Sequence, residues 1–183
     1  DLLSREFAHT RRKNLLLRDL DELVNQQLSK MLLANPQRID YYDRYQEIID
    51  AYNAEQNRAT IEKTFMDLME LASSMDTEQQ RYVREGFSSD EELSVYDLLF
   101  SENLTKQEIE TIKKVSVDLL TKIKQQIAKL DHWTDKQETK AIVDNLIRNT
   151  LWQELPNSYD VSDIQTYQKK IYEYVYMRYP EVA

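Results

Sequence analysis

Apolar residues recur every three or four positions along nearly the whole chain, and short polar clusters separate the runs. This is the period of helices with one wet face. The spacing predicts a first helix over 4–34, with Leu16, Leu20, Leu23, Leu28 and Met31 as its stripe and Val24 and Leu32 widening it. Asn35-Pro36 ends it, because a residue before proline is pushed out of the α region. The same pair restarts the chain as cap and first helical position. A second helix over 37–54 buries Tyr42, Tyr45, Ile49 and Tyr52, with Ile48 beside them. After a polar stretch at 53–59, Thr60 caps a third helix whose face is Ile61, Phe65, Leu68 and Leu71.

A short helix from Thr77 is predicted to stop near Gly86, since a helix end commonly needs a residue in the left-handed region. Ser89-Asp90-Glu91-Glu92 and Thr105-Lys106-Gln107-Glu108 both read as capping boxes. The first opens a helix burying Leu93, Tyr96, Leu99 and Phe100. The second opens the most regular segment, 106–130, with Ile109, Ile112, Val115, Leu119, Ile123 and Ile127 on one face. The run 134–137 repeats the cap pattern ahead of a helix carrying Ile142, Leu146, Ile147 and Leu151 to about 155. A last helix, capped over 162–165, holds Ile164, Tyr167, Ile171, Tyr174 and Val175 until Tyr179-Pro180 stops it. The pattern therefore predicts an all-α, irregular multi-helix domain of about eight helices. It shows no repeat and no linker, so a single domain over 1–183 is expected.

Composition sharpens this. Among 183 residues there is one glycine, three prolines and no cysteine. An average chain is about 7% glycine, and hairpins, bulges and phosphate loops depend on it. A multi-strand protein is thus disfavoured, and no nucleotide-binding glycine loop can be written. Absent cysteine removes disulfides, thiolate zinc sites and thiol nucleophiles, and is compatible with a reducing, cytoplasmic setting. No run of about 18 apolar residues predicts a membrane span. The net charge of −9 argues against the whole chain being a nucleic-acid clamp. The stretch 76–110 carries ten acids against three bases, which would repel DNA or meet a basic partner. The chain opens on Asp1 rather than Met, which reads as a piece of something larger.

Candidate chemistry is sparse. His9 and His132 lie far apart, and Glu6 with His9 forms one E-x-x-H pair where a di-iron bundle needs two. The plainer reading is chance spacing for Glu6 and His9, and a local cap or packing role for His132. No catalytic, cofactor or metal residue is assigned. Arg11, Arg12 and Lys13, with Arg5 and Arg18 nearby, could touch phosphate, or form a solvated face paired with Asp19, Asp21 and Glu22. The twelve tyrosines say more. On the last helix Tyr167, Ile171, Tyr174 and Val175 share one face, while Tyr172, Tyr176 and Tyr179 share a second. A tyrosine has an apolar ring and a wet hydroxyl, which suits an interface. The alternative is a wide core face with tyrosines at its edge.

Several segments in order carry a resemblance: Lys30-Met31-Leu32-Leu33-Ala34-Asn35-Pro36, Ile39 through Ile49, Thr60 through Phe65, Arg84-Glu85-Gly86-Phe87, Val95 through Leu99, Asp131-His132-Trp133, and Tyr174 through Pro180. Together they resemble the C-terminal helical region of the R subunit of type I restriction endonucleases. The resemblance implies a parent subunit that is an ATP-driven DNA translocase with a nuclease domain, using ATP and Mg²⁺ upstream of this segment. It implies, for this segment, a non-catalytic role in attaching the motor to the methyltransferase and specificity subunits, with DNA reached through the full complex. Tyr172, Tyr176 and Tyr179 are then candidates for the protein interface, and Arg11, Arg12 and Lys13 for DNA. A free-standing helical adaptor is the alternative from another class; a helical enzyme with a carboxylate site is a third.

Overall fold

A computed structural model describes Phe7, residues 13–55 and residues 57–180. Among the described residues it has eight α-helices, one short 3₁₀ turn and no strand. The helices are α1 (Lys13–Ala34), α2 (Ile39–Ala54), α3 (Arg58–Gln79), α4 (Arg81–Arg84), α5 (Asp90–Leu99), α6 (Lys106–Ile127), α7 (Gln137–Glu154) and α8 (Val161–Arg178). The all-α class is as the periodicity predicts. The chain divides into two compact units, Asp1–Arg84 and Glu85–Ala183, at a place where the sequence shows no linker.

In the first unit α3 packs against both α1 and α2. The α1 stripe is Leu17, Leu20, Val24, Leu28 and Met31, at spacings of three and four. It meets Phe65, Leu68, Leu71 and Met75 of α3, and Tyr45 of α2. Leu23 is exposed and Leu16 half-buried, because Leu17 keeps the helical period better than its neighbour. Tyr42 is likewise exposed, leaving Tyr45 as the buried tyrosine of α2. Asn35 is extended, as a pre-proline residue must be, and its side chain accepts from the Gln37 amide. The turn Pro36–Arg38 then delays α2 to Ile39.

The cap of α3 is Asn57 rather than Thr60, and its Oδ1 takes the Thr60 amide at 2.9 Å. No separate helix opens at Thr77. Its hydroxyl bonds back to the Ser73 carbonyl, a mid-helix habit of threonine, while buried Met75 keeps the α3 stripe running. The short helix that follows is only α4. Gly86 does stop it, at φ +85.

In the second unit α5 packs on α6, α6 on α7, α7 on α8, and α8 returns to α5. The centre of this ring is α6, whose Ile112, Val115, Leu119, Ile123 and Ile127 are all buried. Thr105 and Glu108 close the expected capping box. The helix ends at Ile127 rather than 130, because its last carbonyls tighten into i→i+3 bonds to Lys129 and Leu130. The ten-residue α5 is buried almost all round, including Ser94 and Val95. Ser89 caps it as expected, but Glu92 reaches back to the Ser88 amide instead of closing on Ser89. Phe100 leaves the helix with extended backbone and is exposed. The Tyr159 hydroxyl donates to the Leu99 carbonyl at 2.7 Å, so a buried carbonyl at the end of α5 is satisfied from the turn before α8. On α7 the core residues are Val143, Ile147 and Leu151; Ile142 is exposed. The cap of α8 is Asp160, which forms a reciprocal box with Asp163 two residues ahead of the predicted one.

The Gly86 site gives a direct test. A Cβ there would meet nothing within 4 Å, so the cost of a side chain is backbone strain alone. Gly86→Ala should lower unfolding free energy by about 1–2 kcal/mol, and Gly86→Asn by less, in urea titrations.

Candidate functional site

The turn between α6 and α7 places an aromatic cluster on α8. His132 takes a left-handed conformation, φ +44. That reversal carries Trp133 inward, where it is 1% exposed. The indole Nε1 donates to the Tyr179 carbonyl at 2.6 Å, and the Trp133 carbonyl accepts from Thr139 Oγ1 at 2.7 Å. The N-terminus of α7 falls at Lys136 with no side-chain cap, so the predicted Thr134 cap is not used. His132 itself is exposed, beside Asp131; the packing role belongs to Trp133.

Two rings of α8 stand edge-on to that indole. Tyr172 lies 6.2 Å from it and Tyr176 5.7 Å, both nearly perpendicular. They sit one helical turn apart, with centroids 6.1 Å from each other. Lys140 of α7 places its ammonium 5.8 Å from the Tyr176 centroid. Tyr176 is 39% exposed and Tyr172 half-buried. Burial, with Asp144 nearby, raises the Tyr172 pKa. Both rings rest against the buried Trp133 indole.

Tyr179 belongs elsewhere. It follows the end of α8 and is buried, packed edge-on to Tyr174 with Lys124 over its ring. Burial pushes its hydroxyl pKa far up, with Tyr174 and Glu91 adding to the effect. Of the three predicted interface tyrosines the structure brings two together and sends the third to the core. The period explains this: Tyr179 lies beyond the last helical residue, so helical spacing no longer sets its direction.

The basic candidates divide too. Arg11 and Arg12 lie outside the described residues, as do Glu6 and His9. Lys13 pairs with Glu62 and stands over the Phe7 ring. Four of the ten acids in the 76–110 run pair with cations. Glu78 holds Arg38 and Arg81, Glu85 and Glu110 share Lys113, and Glu91 takes Lys124. Sequence reasoning missed the partners supplied from other elements: Arg38 for Glu78, Lys113 for Glu85 and Lys124 for Glu91. Among the described residues no three of His, Asp and Glu gather as a metal site, and no helix is long and apolar enough to cross a membrane.

Fold and surface define an all-α module of two helical units, the second presenting an ordered aromatic face. A family model described as type I restriction enzyme HindI endonuclease subunit-like, C-terminal, matches residues 1–179. The chain belongs to this family. No curated protein and no solved structure gives a significant match.

Two measurements test the site's construction. Trp133→Ala should cost about 3–5 kcal/mol, whereas His132→Gly should be neutral or stabilising by a few tenths, because it exchanges left-handed strain for glycine's entropy. Thermal and urea unfolding separate these signs. Acid titration tests Glu91. Burial alone would raise its pKa, but Lys124 hydrogen bonding more than offsets that, so the folded value lies below the ordinary 4.5. Its stabilising contribution is then complete above 4.5 and lost as pH falls through the lowered value. Glu91→Gln should flatten the acid limb of the stability profile between those two values.

Proposed function

We propose that this chain is the assembly segment of a type I restriction endonuclease subunit. It docks the ATP-dependent translocase and endonuclease onto the methyltransferase core, made of the methyltransferase and specificity subunits. Both units act as one segment, and the segment supplies rigid surface rather than chemistry. ATP and Mg²⁺ serve the parent subunit, and DNA is engaged through the whole complex. Arg11 and Arg12 are the phosphate-contact candidates, Lys13 being committed to Glu62.

The observation that carries the docking role, given the family, is the Tyr172–Tyr176 pair on Trp133. Exposed aromatic rings with fixed rotamers lose little entropy on binding, and tyrosine is enriched where partners bury area. An enclosing core would instead hide both rings, as it does Tyr174 and Tyr179.

The test uses the full-length endonuclease subunit with its methyltransferase and specificity subunits. Tyr172→Ser with Tyr176→Ser should weaken association by tenfold or more, roughly 1.4 kcal/mol at least. Tyr172→Phe with Tyr176→Phe should retain most of it. Far-ultraviolet circular dichroism melts check that the serine variant is folded. Unchanged association of a folded serine variant would overturn the docking role for this face. Association with an unrelated protein in place of the modification subunits would favour the adaptor reading.

A further inference from the structure

Helices α5, α6 and α8 of the second unit meet on one carboxylate that the docking face does not contain. Glu91 of α5 takes Lys124 of α6 and, at 3.9 Å, Arg178 of α8. Lys124 also stands 5.2 Å from the centroid of the Tyr179 ring. The cation that Glu91 holds is therefore the one that covers Tyr179. Tyr174 meets the same ring edge-on. The hydroxyls of Tyr174 and Tyr179 are both buried, and neither makes a hydrogen bond among the described residues. A buried polar group without a partner costs about 1–3 kcal/mol. The seat of Tyr179 thus carries a penalty that ring packing and Lys124 must offset.

That seat reaches the aromatic face through one backbone group. Helix α8 fixes the Tyr179 amide, which donates to the Val175 carbonyl at 2.9 Å. Beyond that bond the backbone leaves the helix, at φ −127 and ψ 53. The helix therefore does not aim the Tyr179 carbonyl; the seated side chain does. So aimed, the carbonyl accepts from the Trp133 indole at 2.6 Å. Tyr172 and Tyr176 rest on that indole.

We propose that Tyr179 is a latch for the Tyr172–Tyr176 face, and that Glu91 holds it shut by fixing Lys124 over its ring. With the latch shut, the indole keeps its acceptor and the two tyrosines keep a rigid base. With it open, the Tyr174 and Tyr179 hydroxyls regain water, and the indole loses its acceptor. The hydroxyl penalty favours opening, so removing the Glu91 charge shifts the balance. Glu91 and Tyr179 are positioning residues, acting on the face through Trp133. The consequence for assembly rests on the docking role; the coupling within the chain does not.

The test is hydrogen exchange of the Trp133 indole N–H in the full chain, followed in proton–nitrogen correlation spectra. Trp152, 57% exposed, supplies a reference indole. A latch opens locally and exposes little surface, so Trp133 exchange should barely respond to low urea, while amides of Leu119 and Ile123 in α6 speed up with it. Glu91→Gln should speed Trp133 exchange several-fold, and Tyr179→Ala about tenfold or more, with the Tyr172 and Tyr176 ring resonances shifted in both. Tyr179→Phe keeps the ring and drops an unbonded hydroxyl, so its indole should exchange no faster than in the unaltered chain. Trp133 exchange that follows the α6 amides in urea overturns the latch, because opening would then be global. Unchanged exchange in folded Glu91→Gln overturns it as well. In the full-length subunit, Tyr179→Ala should weaken association with the modification subunits several-fold, and Tyr179→Phe should not. Normal association of Tyr179→Ala, where the Tyr172 and Tyr176 serine variant fails, overturns the latch and leaves docking standing. Normal association of the serine variant removes the docking role, and indole exchange alone then decides the latch.

Discussion

The second unit turns on the burial of one indole. Trp133 is polar at one atom, and that atom is placed against the Tyr179 carbonyl just past the end of α8. A helix leaves its last carbonyls without intrahelical partners. Here one bond satisfies a buried donor and an acceptor at the α8 terminus together. The turn that delivers the indole must reverse sharply, and His132 meets that need with a left-handed backbone a non-glycine residue rarely adopts. The strain, of order 1 kcal/mol, is small beside the roughly 3–5 kcal/mol carried by a buried tryptophan. Once the indole is fixed, its edge and face set where Tyr172 and Tyr176 can lie. The exposed surface is therefore a consequence of the core, with little freedom of its own.

The first unit has a different organising element. Arg38 is almost fully buried at the corner between α1 and α2, and its Nε lies 3.1 Å from Glu78 at the far end of α3. Arg81 reaches the same carboxylate at 2.8 Å. A buried pair of this kind is a poor source of net stability, since desolvation consumes much of the attraction. Its influence lies in what it forbids. Sliding α3 by a turn would strand a buried charge at a cost of about 3–5 kcal/mol, far more than a shifted leucine costs. The apolar stripes supply adhesion without direction; the pair at Glu78 supplies register.

Much of the fold was legible because helices announce themselves locally. Periodicity placed all seven long helices, and Ser89, Thr105 and Gly86 each do what a cap or stop residue does by itself. Errors cluster where two local signals compete. Leu16 and Leu17 both fit a stripe, Thr60 and Asn57 both fit a cap, and Ser162 and Asp160 both can open α8. In each case the neighbouring residue holds the better geometry: Leu17 faces the core, and Asn57 and Asp160 each accept the amide three residues on. The candidate surface was half legible. Spacing of four put Tyr172 and Tyr176 together, but Tyr179 lies past the helix end, where spacing stops being informative. Trp133 had no periodic signal at all. Its role depends on a contact 46 residues away, which one sequence does not encode in any local pattern. The same holds for the acidic run, three of whose charges meet Arg38 or the α6 residues Lys113 and Lys124.

That neutralisation bears on how an acidic chain could serve a complex that handles DNA. A field of several net charges acts over roughly a Debye length, about 8 Å at physiological salt, so only unpaired surface charge is felt by a partner. With Glu78, Glu85, Glu91 and Glu110 paired to cations, part of the run's charge is neutralised locally. The aromatic face sits apart from it in sequence, with Lys140 over the Tyr176 ring. Under the proposed role, binding there desolvates two rings, which depends weakly on salt. Under the proposed docking role, a contact of that type suits a tether between a motor and its anchor, because salt changes around it weaken it little.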